Sequence, residues 1–559
     1  MRKLRSSSWL LVSLISVVTT SPVLWGQAAT DNPVVAAAKD GDLKTVRALL
    51  AKGAKVNDAA KDGSTALLWA AYHSNLDMTR ALLTAGAVVD APNKYGITPL
   101  LQASRTGDAP VMGALLKASA DAKRGSPQGE SPLMAAAKTG RLDAVKLLLE
   151  AGSEVNVITN YQEETALMWA AAEGHLGVVT ALLDAKADPN AYARITSLTE
   201  RKHADHPTGG FTPLMFAVRG GHAEVAKALI RRGADPKVYN GDGVTALTIA
   251  IVNDRFDLAA DLIALGADVN DGALYFAVDM HDATKDMRAR DGSRLRQDHS
   301  NTLGALDLMK LMLDKGADPN LNFAGQLHST SLCCGANENA SPFFRAAVAS
   351  DVDALKLMIA RGAQLEWTVP EPKTEGRAGG AAAAGGRGNP NLGRTPLMVA
   401  MNGGRGAGLG AGPGFERLIA PPFREESNRD PLEAVKTLLA AGANANHKSP
   451  DGSTPLHLAV TARQMPIIRE LVKAGAKLDA VNRDNQTPLL LAEKPEPPRV
   501  AGNNNDSTAY RRPQNSRDEV IAGVRELMGL GPNDPSPQPP PLPAGSKPPE
   551  KKTDAEAEQ

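Results

Sequence analysis

The chain has 559 residues, length enough for three or four ordinary domains, and its 62 Lys and Arg balance 62 Asp and Glu. That balance leaves no net field to draw nucleic acid or an anionic membrane surface. Aromatic residues make up only 4% of the chain, while Ala, Leu and Val abound, a composition suited to thin layers of small side chains rather than one thick core.

The first element is an export signal over residues 1–28. Arg2, Lys3 and Arg5 form a positive n-region, and Trp9 to Val18 is an apolar run too short to span a bilayer. Pro22 breaks that run, and Gly26-Gln27-Ala28 offers the small residues that a signal peptidase reads. Cleavage near Ala28 is expected to deliver a periplasmic or secreted protein of bacterial type, with no stable membrane insertion.

After the signal, one phrase recurs. Thr65, Thr98 and Ser131 stand 33 residues apart, as do Thr212 and Thr245, and Thr454 and Thr487. They open TALLWAA, TPLLQAS, SPLMAAA, TPLMFAV, TALTIAI, TPLHLAV and TPLLLAE. A fixed period of this length replaces one globular core with a stack of nearest-neighbour interfaces. In the copy starting at Gly129, Ser131 is placed to cap a helix and Pro132 to occupy its first position, where a missing N–H costs nothing. Leu133, Ala136 and Ala137 then share one face. Gly140 permits a turn, and Val145, Leu148 and Leu149 give a second helix its apolar stripe. Gly152 ends that helix. Neither helix buries its stripe alone, so copies must stack.

These phrases resemble the ankyrin repeat. His457 sits in an intact TPLH, and Gly174-His175 and Gly221-His222 match its GH turn. Gly266–Asn270, Gly316–Asn320 and Gly442–Asn446 match its GADxN entry to the finger. The resemblance implies an all-α solenoid of stacked helix-turn-helix units with short β-hairpin fingers, about a dozen units between Asp31 and Leu530. The first copy, VVAAAKDGDLKTVRALL, lacks the TPL opening and reads as an N-terminal cap. Glu163 and Asn485 replace the Gly that precedes the Thr in other copies; Asn tolerates left-handed geometry better than Glu.

The repeat is regular over 31–271 and decorated over 272–530, where a short helix at Asp518–Leu530 is expected to close the C-terminal cap. Ile195–Gly209, Leu321–Ala340 and Thr368–Leu392 fall between units, on the finger edge. His281–Thr302, Gly403–Asn428 and Lys494–Ser516 fall between the two helices of one unit. Gly376–Gly393 and Gly403–Gly414 are Gly/Ala-rich, and Ala283–Ser300 is densely charged. Residues 531–559 are Pro-rich with alternating Lys and Glu, and are expected to be disordered.

No catalytic signature is present: HExxH, GxSxG and GxxxxGK[ST] are all missing. Cys333 and Cys334 are the only cysteines and stand side by side, so they cannot staple a long loop. His203, Asp205 and His206 form one potential ligand cluster; Asp279, His281 and Asp282, with His299 beyond them, form another; His328 lies near the cysteines. Solvated loops are the expected reading of all three, with no metal and no cofactor. Trp69, Trp169 and Phe216 share the slot of Leu458 and Leu491 and are expected to be core packing.

By the resemblance, the residue after the finger Gly and the two after the Ala pair face a concave groove. Those slots hold Tyr72, His73, Arg105, Glu130, Lys138, Thr139, Glu173, Phe211 and Arg219, together with Ser64, Ile97, Thr106, Glu164, Val244 and Asn253. Tyr, Phe and Arg with both signs of charge suit a protein partner rather than a polyanion. The expected function is a monomeric, non-enzymatic scaffold that binds another protein. The alternative is a metal- or thiol-dependent enzyme or redox sensor built around Cys333, Cys334 and His281. A third reading is that the scaffold shields or inhibits one partner enzyme.

Overall fold

A computed structural model describes residues 32–196, 208–282, 300–322, 340–368, 392–401, 430–494 and 515–540. The export signal, the cysteine pair, His203, His206, His299, His328 and the interiors of the insertions lie outside the described residues. Among the described residues, twenty-four helices form twelve consecutive pairs, with one two-stranded antiparallel hairpin, Ile195–Thr196 with Thr208–Gly209. None of these helices is long and apolar enough to cross a membrane. The chain divides into two compact units, one ending at Pro127 and the other beginning at Gln128. The boundary drawn from the insertions at residue 271 lies inside the second unit.

In the first unit, Pro33–Lys39, Ala66–Tyr72 and Pro99–Thr106 are the first helices of three pairs, and each packs on the next. The second unit repeats this arrangement from Pro132–Thr139 to the pair Pro488–Glu493 and Arg517–Leu527. The recurring Thr or Ser is the N-cap. Thr98 Oγ1 accepts from Leu101 N at 3.2 Å, and Ser131 Oγ from Met134 N at 3.2 Å, each worth about 1 kcal/mol. Pro follows at the first helical turn in both. Gly140 has no alternative: its φ is +74°, and a Cβ there would meet the His175 ring 2.5 Å from Nδ1. Glu163 and Asn485 both hold the left-handed geometry of the glycines that they replace, each with φ of 55°.

Successive pairs are tied at the finger edge by the Asn of the GADxN phrase. In the second unit, Asn156 Nδ2 donates to Lys186 O and Asn156 Oδ1 accepts from Asp188 N. Asn190, Asn270, Asn320 and Asn446 repeat this two-way bond to Gly233 and Asp235, Gly316 and Asp318, Gly362 and Gln364, and Gly475 and Lys477. The bonds of Asn270 and Asn320 carry the stack through the decorated stretch. At the opposite edge, an asparagine shortly before the second helix of a decorated pair bonds to the preceding pair. Asn301 Nδ2 donates to Asp254 O while its Oδ1 caps Phe256 N; Asn515 Oδ1 likewise caps Met465 N.

The expectation of a wholly disordered tail is corrected for residues 531–540. The buried Arg525 guanidinium donates to the carbonyls of Gly531 and Asp534 and to Ser536 Oγ, and it pairs with Glu493 at 2.9 Å. Ser536 Oγ also donates to Glu493, and Asn485 Nδ2 reaches Pro540 O at 3.3 Å. Composition hides this anchor because a single arginine, not apolar area, holds the segment. Residues 541–559 lie outside the described residues.

Candidate functional site: the inner-helix groove

The groove positions sit at the C-terminal ends of the first helices. In the first unit, Tyr72 and His73 follow the apolar face of Ala66–Tyr72 and are exposed, as is Arg105 near the end of Pro99–Thr106. Trp69 stands one turn before them, half-buried. Its ring meets Tyr72 edge to face, with centroids 5.5 Å apart, and Lys39 Nζ lies 5.7 Å over its face. His73 also has a structural bond, since its Nε2 lies 2.7 Å from Lys39 O. Ser64 and Ile97 are not groove residues: both are buried. Ser64 Oγ donates to Asp62, whose carboxyl the Ser64 N–H holds below the usual range.

The second unit repeats the theme with different aromatics. Lys138 is exposed, and its Nζ lies 5.4 Å over the half-buried ring of Trp169. Trp169 Nε1 donates to Glu164 Oε2 at 2.8 Å, which fixes the indole. Two pairs further on, the Arg219 guanidinium lies 5.1 Å over both Phe211 and Phe216, whose rings are 5.5 Å apart. Phe211 and Trp169 border one apolar cluster built on Met168, Ala193 and Phe216. Each such cation–π stack is worth about 0.5–1 kcal/mol where exposed. Glu173 is exposed between the two cations, and Glu130 is half-buried on its finger.

Not every predicted position is available for a partner. Thr139 Oγ1 donates to Ala136 O at 2.7 Å, and Asn253 Nδ2 to Ile249 O at 2.8 Å, so both are spent on their own helices. Val244 is buried. The open carbonyls at the helix ends are closed from the next pair: His175 Nε2 meets Lys138 O, His222 Nε2 meets Ala172 O, and Arg255 Nη2 donates to Arg219 O. These helix ends are thus bonded across repeats, and Lys138 and Arg219 lie over aromatic rings with Glu173 exposed between them.

Trp169 packs on the core cluster as expected, and both it and Trp69 are half-buried rather than buried. Their slot varies in burial: Gln102, Leu458 and Leu491 occupy it half-buried, while Ala135, Phe216, Ile249, Arg345 and Val399 are buried there. An indole fills the inter-helix layer and leaves its outer edge in the groove. The Gln at 102 was the signal available in the sequence.

Asp279 and His281, expected to belong to a solvated loop without metal, lie instead on the helix Ala273–Asp282, where both have partners. Asp279 accepts from Arg345 through Nε at 2.8 Å and through Nη2, and both residues are buried. His281 Nδ1 lies 2.5 Å from Asp351 Oδ2, while Asp351 Oδ1 caps the helix Val352–Ile359. These pairs join the helix Ala273–Asp282 to Pro342–Ala349 and the turn after it. At earlier junctions a His or Arg of the later pair reaches back; here the later pair supplies the carboxylate and the earlier pair the His. No cluster of three or more His, Cys, Asp or Glu among the described residues is placed to hold a metal ion.

A family model described as ankyrin repeats, in three copies, matches residues 34–126, 107–193, 195–273 and 426–496, more than half of the chain. The chain is similar to the Neurogenic locus Notch protein of Drosophila melanogaster, 34% identical over 128 residues, which are 18% of this chain and 5% of that protein. It is also similar to protein phosphatase 1 regulatory subunit 27 of Mus musculus, 39% identical over 62 residues, covering 11% of this chain and 40% of that one. The match thus spans well under two thirds of either relative's length. Among solved structures, the human ASB11 ankyrin repeat domain is 26% identical, with 42% of this chain and 98% of that chain covered and a TM-score of 0.36. The matched repeats, with the capped helix pairs that they encode, make this chain a member of the ankyrin-repeat family.

Proposed function

We propose that this chain is a non-enzymatic scaffold, exported from the cell that makes it, which holds another protein through the groove and fingers of its repeats. Ankyrin repeats serve as protein-interaction modules, and that coarse role follows from the family. The observation that carries the finer reading is the pair of cation-capped aromatic steps in the second unit, Lys138 on Trp169 and Arg219 on Phe211 and Phe216. Rigid aromatic and Arg side chains, partly desolvated and held by the fold, are the usual carriers of interface energy. The leading segment over residues 1–28 supports export.

The two units offer separate aromatic patches, and charge reversal tells them apart. Lys138→Glu with Arg219→Glu is expected to abolish capture of the partner from the exporting cell, with helix content unchanged. Tyr72→Glu with Arg105→Glu is expected to weaken capture through the first unit. Capture that survives both double variants would show that the partner uses another face.

A further inference from the structure

A second surface lies on the fingers of the second unit. Ile158, Tyr192 and Tyr239 occupy the same position on three consecutive fingers. Each stands two residues before the finger residue whose backbone N–H bonds to the preceding finger: Asn160 to Gln128 O, Arg194 to Gln162 O, and Gly241 to Gly209 O. Tyr161 and Ile195, three residues further along their fingers, form a second column beside the first. All five are between 45% and 72% exposed. Arg194 lies 5.6 Å over the Tyr161 ring and holds it in place. A strip of large apolar side chains at equivalent positions is not the scattered exposure of an ordinary surface.

We propose that this strip binds an extended, proline-rich peptide segment in the polyproline II conformation; the inference rests on the scaffold reading and names the chemistry of one partner. Stacked helices lie about 8–10 Å apart, which sets the step from finger to finger. One turn of polyproline II is three residues at about 3.1 Å each, about 9 Å, so one ring can meet each turn. A β-strand places same-face side chains about 6.8 Å apart and falls out of step. A polyproline II backbone has no internal hydrogen bonds, so its carbonyls need donors, and the phenols of Tyr192 and Tyr239 reach solvent beside the rings. Burial, with the nearby Asp271 and Asp268 carboxylates adding to it, raises the Tyr239 phenol further from ionisation and keeps it a donor. An α-helix closes its own carbonyls and would leave these phenols without a role. A proline-rich stretch of this chain already meets a finger once: in residues 535–540, PSPQPP, Pro540 O accepts from the finger residue Asn485.

The test uses the full chain and fluorescein-labelled decaproline, read by anisotropy. Saturable binding is expected, weakened at least about tenfold by Tyr192→Ala with Tyr239→Ala. The Tyr192→Phe/Tyr239→Phe variant, which keeps the rings and loses the donors, should fall between. A labelled Gly-Ser decapeptide should not bind, and Lys138→Glu/Arg219→Glu should leave decaproline binding unchanged. The inference is overturned by absent saturation, by equal binding of the Gly-Ser peptide, by indifference to the tyrosine variants, or by an amphipathic helical peptide displacing decaproline from the strip. If decaproline fails while partner capture still depends on Lys138 and Arg219, this inference falls and the scaffold reading stands.

Discussion

Replacing Arg345 by Ala is expected to destabilise the second unit by about 3–5 kcal/mol, because it takes a charged partner from the buried carboxylate of Asp279. The guanidinium donates to that carboxylate through Nε and Nη2, and both side chains lie at the junction of Ala273–Asp282 with Pro342–Ala349. Coulombic attraction is not the main stake. An isolated buried charge costs far more than a well-made pair contributes, so the loss should be asymmetric. Asp279→Leu with Arg345→Met, which removes both charges and keeps the volume, should recover most of the loss. The neighbouring His281–Asp351 pair shares this junction and should couple to it in a double-mutant cycle. Urea unfolding of the two variants decides the matter. Unfolding in repeat stacks is not guaranteed to be two-state, so hydrogen exchange across residues 342–359 should accompany it. A cost for Arg345→Ala within about 0.5 kcal/mol, the range of ordinary surface changes, would contradict the buried-pair account.

His457→Ala is expected to cost about 3 kcal/mol and to remove a pH dependence. The ring is fully buried; its Nδ1 accepts from Thr454 N at 3.2 Å, and its Nε2 lies 3.0 Å from Gln486 O in the next repeat. Both bonds are made at once by the neutral ring protonated on Nε2. Burial pushes its pKa below the ordinary 6.5, partly offset by the Gln486 carbonyl. The unfolded chain therefore binds the proton more readily than the fold does. This contribution to stability is whole above about pH 6.5 and declines as pH falls below it toward the folded-state pKa. His457→Asn, which can still accept from Thr454 N, should cost about 1–2 kcal/mol and also flatten this part of the profile. Hydrogen exchange of residues 455–461 at pH 7.5 and 5.5 measures both effects. A wild-type profile that stays flat below pH 6.5 would mean that the ring is not held neutral.

The architecture was legible because ankyrin repeats write their geometry locally. A Thr cap, a Pro after it, a Gly at Gly140 and an Asn at Asn156 each satisfy one backbone requirement, and each recurs at the expected place. The groove was half legible. Tyr72, Arg105, Lys138, Glu173 and Arg219 are exposed where the repeat pattern puts them. Ser64 and Val244 are not, because the slot after the finger Gly is open only to a side chain long enough to leave the turn. Glu164 manages this and is captured by the Trp169 indole. Trp169 packs on the core cluster as its slot suggests, but stays half-buried, as Leu458 and Leu491 do in the same slot.

The junction pairs were hidden for a different reason. Asp279 and Arg345 are 66 residues apart and His281 and Asp351 are 70 apart, with two insertions in the intervening sequence. No local pattern announces a partner at that distance. Read alone, Asp279 and His281 look like part of a solvated loop; the fold puts both on a helix and gives each a partner. The finger columns had a sequence trace that is easy to see afterwards. Tyr192 and Tyr239 stand at the same offset from their Ala-Asp-Pro entries, but exposure had to come from the structure.

The central claim is that a protein partner sits in the groove of the second unit. A photo-crosslinking amino acid placed at Glu173, between Lys138 and Arg219, tests it in the cell that makes the chain. The account predicts a discrete covalent adduct to another protein from position 173, and none from Lys146 on the second helix Leu142–Glu150. Adducts from position 146 with none from 173 would place the partner on the opposite face and contradict the account.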